Sequence, residues 1–280
     1  MRERLGIAAD TKCELIRWSL TLGGDSRAER SGKSQAGAPT TYELRAAYGP
    51  IAQGVPGLAS GAATLVRRGT WAYGRDQDTT PEVPTIRLDN GLALRHIDAN
   101  VLHLLDRGGG LLVGDGGWSY TLNRAGSAEA IGDPSLALRQ SDMSYRITPL
   151  AAGPEVFGVF EGRSPCRGIA RDLHVRVPAT CTKAKWRVTL FQDPATQAPT
   201  TYKLEGTMAR REAREGRWER VRGMKDDPAA VIYRLEQAQG RPAVLLLRGD
   251  ENVLFFLDAD RALRVGHADF SYTLNRRAEG

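Results

Sequence analysis

Three cysteines and four histidines carry the chemistry that packing alone does not explain: Cys13, Cys166 and Cys181, with His96, His103, His174 and His267. Thiolates are the soft ligands that select Cu(I), so Cys166 and Cys181 form a candidate copper pair. The same two residues can instead form a disulfide, and paired cysteines outside the cytosol are mostly staples. That second reading outweighs the first. The loop they would close is about 15 residues long, worth roughly 3 kcal/mol in the chain-entropy account. The histidines offer less. No His-x-His or His-x-x-x-His spacing occurs, although an imidazole site needs convergent ligands with an orienting shell behind them.

Other familiar chemistries fail on context. Gly108–Gly109–Gly110 and the Gly-Asp-Gly-Gly at 114–117 suggest a phosphate loop, but neither precedes a helical pattern, so they read as turns. Ser119 and Ser271 are expected on strands and lack a Gly-x-Ser-x-Gly elbow. No catalytic constellation emerges, and the chain is read as a non-enzyme. The net charge is +6, yet the arginines alternate with acids, as in Arg210–Arg211–Glu212–Ala213–Arg214–Glu215. That is a self-neutralising surface and not a nucleic-acid footprint.

The elements that must position these residues come in two copies. Shifting the chain by 152 positions lays Asn252–Arg276 on Asn100–Arg124, with 14 of 25 positions identical and the same ending, Ser-Tyr-Thr-Leu-Asn-Arg. Further anchors keep the same order. They are Ala38–Leu44 with Ala198–Leu204, Gly69–Trp71 with Gly216–Trp218, and Cys13/Trp18 with Cys181/Trp186. The extra residues of the first copy, around Ser26–Lys33 and Pro50–Ser60, have the size of surface-loop insertions. His103 stands opposite Phe255 and His96 opposite Arg248, so the fold does not demand imidazole at either place. His103 is expected to be a packed aromatic on a strand, and His267, opposite Asp115, to lie in a turn.

Within each copy the period is two. Lys185–Leu190, Thr201–Leu204 and Arg217–Val221 alternate polar with apolar or β-branched residues between Gly, Pro and Asp. Asp106–Gly110 and Asp258–Arg261 read as hairpin turns. The only helix candidates are short: Ile169–His174 and Pro228–Ala230. The expected fold class is all-β, with two tandem small antiparallel β-barrels of up-and-down, lipocalin-like meander and little helix. The matched tryptophans 18, 71, 186 and 218 would be core aromatics or the lining of a barrel mouth that holds a small ligand.

The expected domains are a first barrel over 1–125, a linker over 126–153 in which Met143–Thr148 could pair as a strand, and a second barrel over 154–280. The second copy opens with Val156–Cys166, a strand running into a Pro-Cys turn, and the first copy has no equivalent. Aligning Cys13 with Cys181 puts the counterpart of Cys166 three residues before Met1. We therefore expect the first barrel's opening strand, with Cys13's partner, upstream of Met1, where a signal peptide would also lie.

Phe160–Glu–Gly–Arg–Ser–Pro–Cys166, Cys181 before Trp186–Arg–Val–Thr–Leu190, Thr201–Leu204, Gly216–Arg–Trp218 and Leu254–Phe–Phe–Leu–Asp258 resemble, in order, the amino-terminal domain of the NlpE family. The first copy is similar in its later parts, Trp18–Leu22, Thr41–Leu44, Trp71 and Leu102–Asp106. That family comprises bacterial envelope lipoproteins linked to copper resistance and surface-stress signalling. The resemblance implies a lipocalin-related barrel in each copy and a periplasmic or outer-membrane location. It further implies a copper ion or an envelope signalling protein as partner, with the membrane reached only through a lipid anchor. The family's cysteines usually stand as Cys-x-x-Cys, whereas 14 residues separate Cys166 from Cys181. The alternative reading is a lipocalin-like binding module for a small hydrophobic ligand or a protein partner.

Overall fold

Alternating side chains in short runs leave one face of each strand to be buried, and a meander of such strands buries that face by curling on itself. The computed structural model describes residues 1–24, 40–52, 57–75, 84–115, 118–126, 150–209, 213–225, 227–238 and 240–277. The chain falls into two units, Met1–Leu112 and Val113–Gly280. Residues 127–149, which include the expected strand Met143–Thr148, lie outside the described residues, as does the first copy's insertion at 26–33.

The second repeat forms a closed antiparallel barrel of eight strands. In chain order these are β8 (Val156–Pro165), β9 (Lys183–Gln192), β10 (Pro199–Gly206), β11 (Arg214–Arg222), β12 (Val231–Leu235), β13 (Val244–Arg248), β14 (Val253–Leu257) and β15 (Thr273–Arg276). Strand β8 closes the ring. Its long ladder with β9 runs from Val156↔Phe191 to Pro165↔Lys183, and β15 meets it on the other side at Asn275↔Glu161. Eight strands enclose a space that side chains can just fill, and here they do. Phe160, Trp186, Val188, Leu190, Tyr202, Leu204, Trp218, Tyr233, Leu235, Leu246, Leu254, Phe256 and Leu274 form one buried cluster.

The first sheet has seven antiparallel strands in sequence order. They are β1 (Leu15–Gly23), β2 (Thr41–Gly49), β3 (Ala63–Arg75), β4 (Pro84–Leu88), β5 (Ala93–His96), β6 (Val101–Leu104) and β7 (Thr121–Asn123). They correspond one for one to β9–β15. No counterpart of β8 exists among the described residues, so β1 pairs with β2 alone and forms an edge. Leu44, Ile86, Leu94 and Leu104 still make a dry core on the inner face.

Helix is as scarce as the sequence reading requires. Among the described residues one short α-helix, α1 (Arg167–Asp172), follows β8, close to the expected Ile169–His174. It carries Ile169 and Ala170, with Leu173 just beyond, into the end of the barrel. A one-turn 3-10 helix at Glu3–Leu5 does the same for the first sheet. Leu5 and Ile7 stand opposite Leu173 and Val175, and all four are buried. Pro228–Ala230, the other helix candidate, is a turn. The Asp227 carboxylate accepts the N–H groups of Ala229 and Ala230 (2.9 and 3.1 Å), so the side chain replaces the helical acceptor.

Candidate functional site

Cys166 follows β8 and stands at the N-cap position of α1; Cys181 sits in the turn before β9, its N–H bonded to the Pro178 carbonyl at 2.9 Å. The two form a disulfide with Cα atoms 5.7 Å apart. Both are almost fully buried, beside Ile169, Ala170, Leu173 and Trp186. The cross-link therefore straps α1 under the barrel and ties the closing strand to the strand it pairs with. With both sulfurs bonded to each other no thiolate is free, and Cu(I) ligation here would first require reduction. Cys13, at the place of Cys181, is a free, half-buried thiol. Its Sγ lies 3.8 Å from the Leu15 carbonyl, as that of Cys181 lies 3.7 Å from the Lys183 carbonyl.

The histidines are scattered. His103 is buried on β6, and its Nε2 donates to the Leu112 carbonyl at 2.9 Å. His96 is half-buried on β5 and His174 is exposed after α1. His267 sits in the turn before β15, its Nδ1 accepting the Asp269 N–H at 3.2 Å and its ring against Phe270. Among the described residues no three His, Cys, Asp or Glu side chains converge as metal ligands.

The matched aromatics prove to be latches. Trp218 donates its indole N–H to the Phe191 carbonyl at 2.6 Å, and Trp71 donates to the equivalent Gly23 carbonyl at 2.9 Å. The Tyr202 hydroxyl donates to the Glu236 carbonyl at 2.6 Å. Its counterpart Tyr42 donates to a carboxylate, Asp89 Oδ1, at 3.0 Å. That carboxyl is held below its ordinary value, chiefly by the Thr70 backbone N–H, with the Tyr42 and Thr70 hydroxyls adding to the effect against some burial. At one end of the closed barrel Tyr233 meets Phe157 and Trp218 edge to face, and those two rings are tilted against each other, all within 5.7 Å. The guanidinium groups of Arg220 and Arg276 lie over the Phe157 ring at 5.2 and 5.3 Å. Burial pushes Arg276 below its ordinary value. This arrangement caps the interior with aromatic and cationic groups that are already engaged with each other.

Ser119 and Ser271 stand just ahead of β7 and β15, not on strands as expected, and their hydroxyls bond each other (2.5 Å). They belong to a feature that motif reading missed. Within the second unit, residues 152 positions apart meet. Thr121 Oγ1 lies 2.8 Å from Thr273 Oγ1, and Trp118 stacks on Phe270. Two bonds are reciprocal: Asn275 Oδ1 accepts the Gly114 N–H, and Asn123 Oδ1 accepts the Gly266 N–H, each at 2.8 Å. Gly114 and Gly266 both lack room for a side chain, since a Cβ would strike the Trp118 and Phe270 carbonyls. This is the self-complementary pattern of a two-fold seam. The available signal was the shared six-letter ending itself.

Among the described residues no helix is long and apolar enough to cross a membrane. No family model, no curated protein and no solved structure matches the chain.

Proposed function

We propose that the chain is a non-catalytic, NlpE-like envelope protein, resident in the periplasm or at the outer membrane, acting in copper homeostasis or envelope-stress sensing. The observation that supports this reading is the buried Cys166–Cys181 cross-link, since such staples form and persist in oxidising compartments. The NlpE-like order of motifs around those cysteines points the same way. In this reading the oxidised barrel is the resting scaffold. Reduction releases two thiols on Cα atoms 5.7 Å apart, within reach of one Cu(I) ion. An envelope signalling protein is the macromolecular partner, and a lipid anchor is the route to the membrane. The lipocalin-like alternative has less support in the closed barrel, because a ligand would have to displace Trp186, Phe256 and Leu190 from a filled interior.

Titrating the reduced protein with Cu(I) tests the copper reading. One ion per chain bound more tightly than micromolar is expected, with loss of that affinity in the Cys166→Ser/Cys181→Ser variant. Unchanged affinity in the variant removes the cysteines from the site. Mass analysis of alkylated protein from bacterial envelope material, without reductant, tests the compartment. Two free thiols at 166 and 181 would overturn it.

A further inference from the structure

We propose that the edge of β1 is a docking site for one added β-strand with the chemistry of β8: alternating apolar residues running into a Pro-Cys end, with Cys13 as the covalent partner of that cysteine. The second barrel supplies the template. There the position beside β9 is filled by β8, through a ladder that spans almost the whole strand. The first sheet reproduces β9–β15 and leaves the corresponding side of β1 unpaired among the described residues. Unpaired strand edges of nine residues are templates for strand addition.

Burial reports the same vacancy at side-chain level. Trp186, Val188 and Leu190 of β9 are at most 3% exposed, whereas Trp18, Leu20 and Leu22 at the matched places of β1 are only half-buried. Trp186 donates its indole N–H to Ser164 of β8 at 2.8 Å, so Trp18 is the residue whose matching partner the added strand would bring. The thiol completes the pattern. Cys13 occupies the place of Cys181 and is free, while Cys181 is joined to the cysteine at the end of β8.

The occupant is an extended segment that carries the β8 pattern, and not the β8 of a second copy. Extracting β8 would break its own ladder, its ion pair from Glu161 to Arg187 and its disulfide. Covalent capture is a thiol–disulfide exchange. The Cys13 thiolate attacks the sulfur of a disulfide carried by the strand, a Cys13–strand disulfide forms, and the displaced sulfur leaves as a thiolate. No external oxidant is needed. This inference stands apart from the copper reading and can fail or hold without it.

The test uses the full chain and a synthetic peptide of the β8 sequence, Val156–Cys166. A fluorescent Cys166→Ser peptide should bind saturably, at least tenfold tighter than a scrambled peptide or one carrying Phe160→Pro and Glu161→Pro. It should also slow amide exchange along β1. A peptide whose terminal cysteine carries a 2-pyridyl disulfide should label Cys13, releasing pyridine-2-thione, at least tenfold faster than its scrambled form does. The Cys13→Ser chain should keep the reversible binding and lose the labelling. Equal binding and equal labelling rates for native and scrambled peptides would overturn the proposal.

Discussion

The two sheets are built from the same letters and differ by one strand, which makes them a controlled comparison of closure. The tryptophan and tyrosine latches appear in both, and the Asp-capped turn recurs as well. Asp106 accepts the Gly108 and Gly110 N–H groups, and Asp258 those of Asp260 and Ala262. Local chemistry is thus shared, apart from the tyrosines' acceptors. What β8 adds is collective: it removes an edge, buries the inner face of its neighbour and places an Arg187–Glu161 ion pair in a shielded position (2.6 Å). At the place of Arg187 the first sheet has Ser19, exposed on β1. Closure, then, and not the strands' own pattern, separates a fully buried β9 from a half-buried β1.

The largest expected difference between the sheets is at their matched tryptophans. Trp186→Ala removes a buried ring packed 4.7 Å from Phe256 and should cost about 3–5 kcal/mol. Trp18→Ala, half-buried on an edge, should cost about 1 kcal/mol. Urea unfolding followed by amide exchange, which reports each sheet separately, checks both. Equal costs would mean that β1 is as shielded as β9 and would end the comparison.

Next in size are the cysteines. Replacing Cys166 and Cys181 by Ala should lower the second unit's stability by roughly 3 kcal/mol, the entropy of a loop of this length. Cys13→Ala should stay within about 0.5 kcal/mol. Melts with and without reductant give the same contrast without mutation.

The smallest effect concerns the tyrosine latches. Asp89 has a folded-state value below its ordinary one. Its contribution is therefore complete above the unfolded carboxylate range, near pH 4, and is lost as the pH falls through the folded value. The Tyr202 latch ends on a backbone carbonyl and has no such dependence. The first sheet should lose protection below about pH 4 in a way that Asp89→Asn abolishes. The second sheet's latch should not change.

Much of this was legible in the letters. The repeat, the period of two, the turns at Asp106 and Asp258 and the disulfide partners all follow from local spacing, because hairpins and short loops connect neighbours. The fate of Ser119 and Ser271 did not follow, since only three-dimensional pairing reveals that each hydroxyl answers the other. The same holds for Tyr42 and Tyr202, identical letters whose acceptors differ in kind. Pro228–Ala230 misled for a local reason, the Asp227 side chain, that composition does not distinguish from a helix start. The candidate chemistry was legible only as far as the cysteines. Function beyond them rests on resemblance and on the tests above.

The two-fold seam has a consequence for ancestry. A contact in which residue i meets residue i + 152 is the contact a homodimer of single modules makes, with one gene writing both sides. Fusing two such genes keeps the seam while freeing its halves to drift, and a change in one half is then read against an unaltered twin. The six shared letters stand where that reading is direct, and the divergent turns at 107–110 and 259–262 lie outside it. Ser, Thr and Asn of that shared ending are the letters that meet their own twins or their twins' loops across the seam.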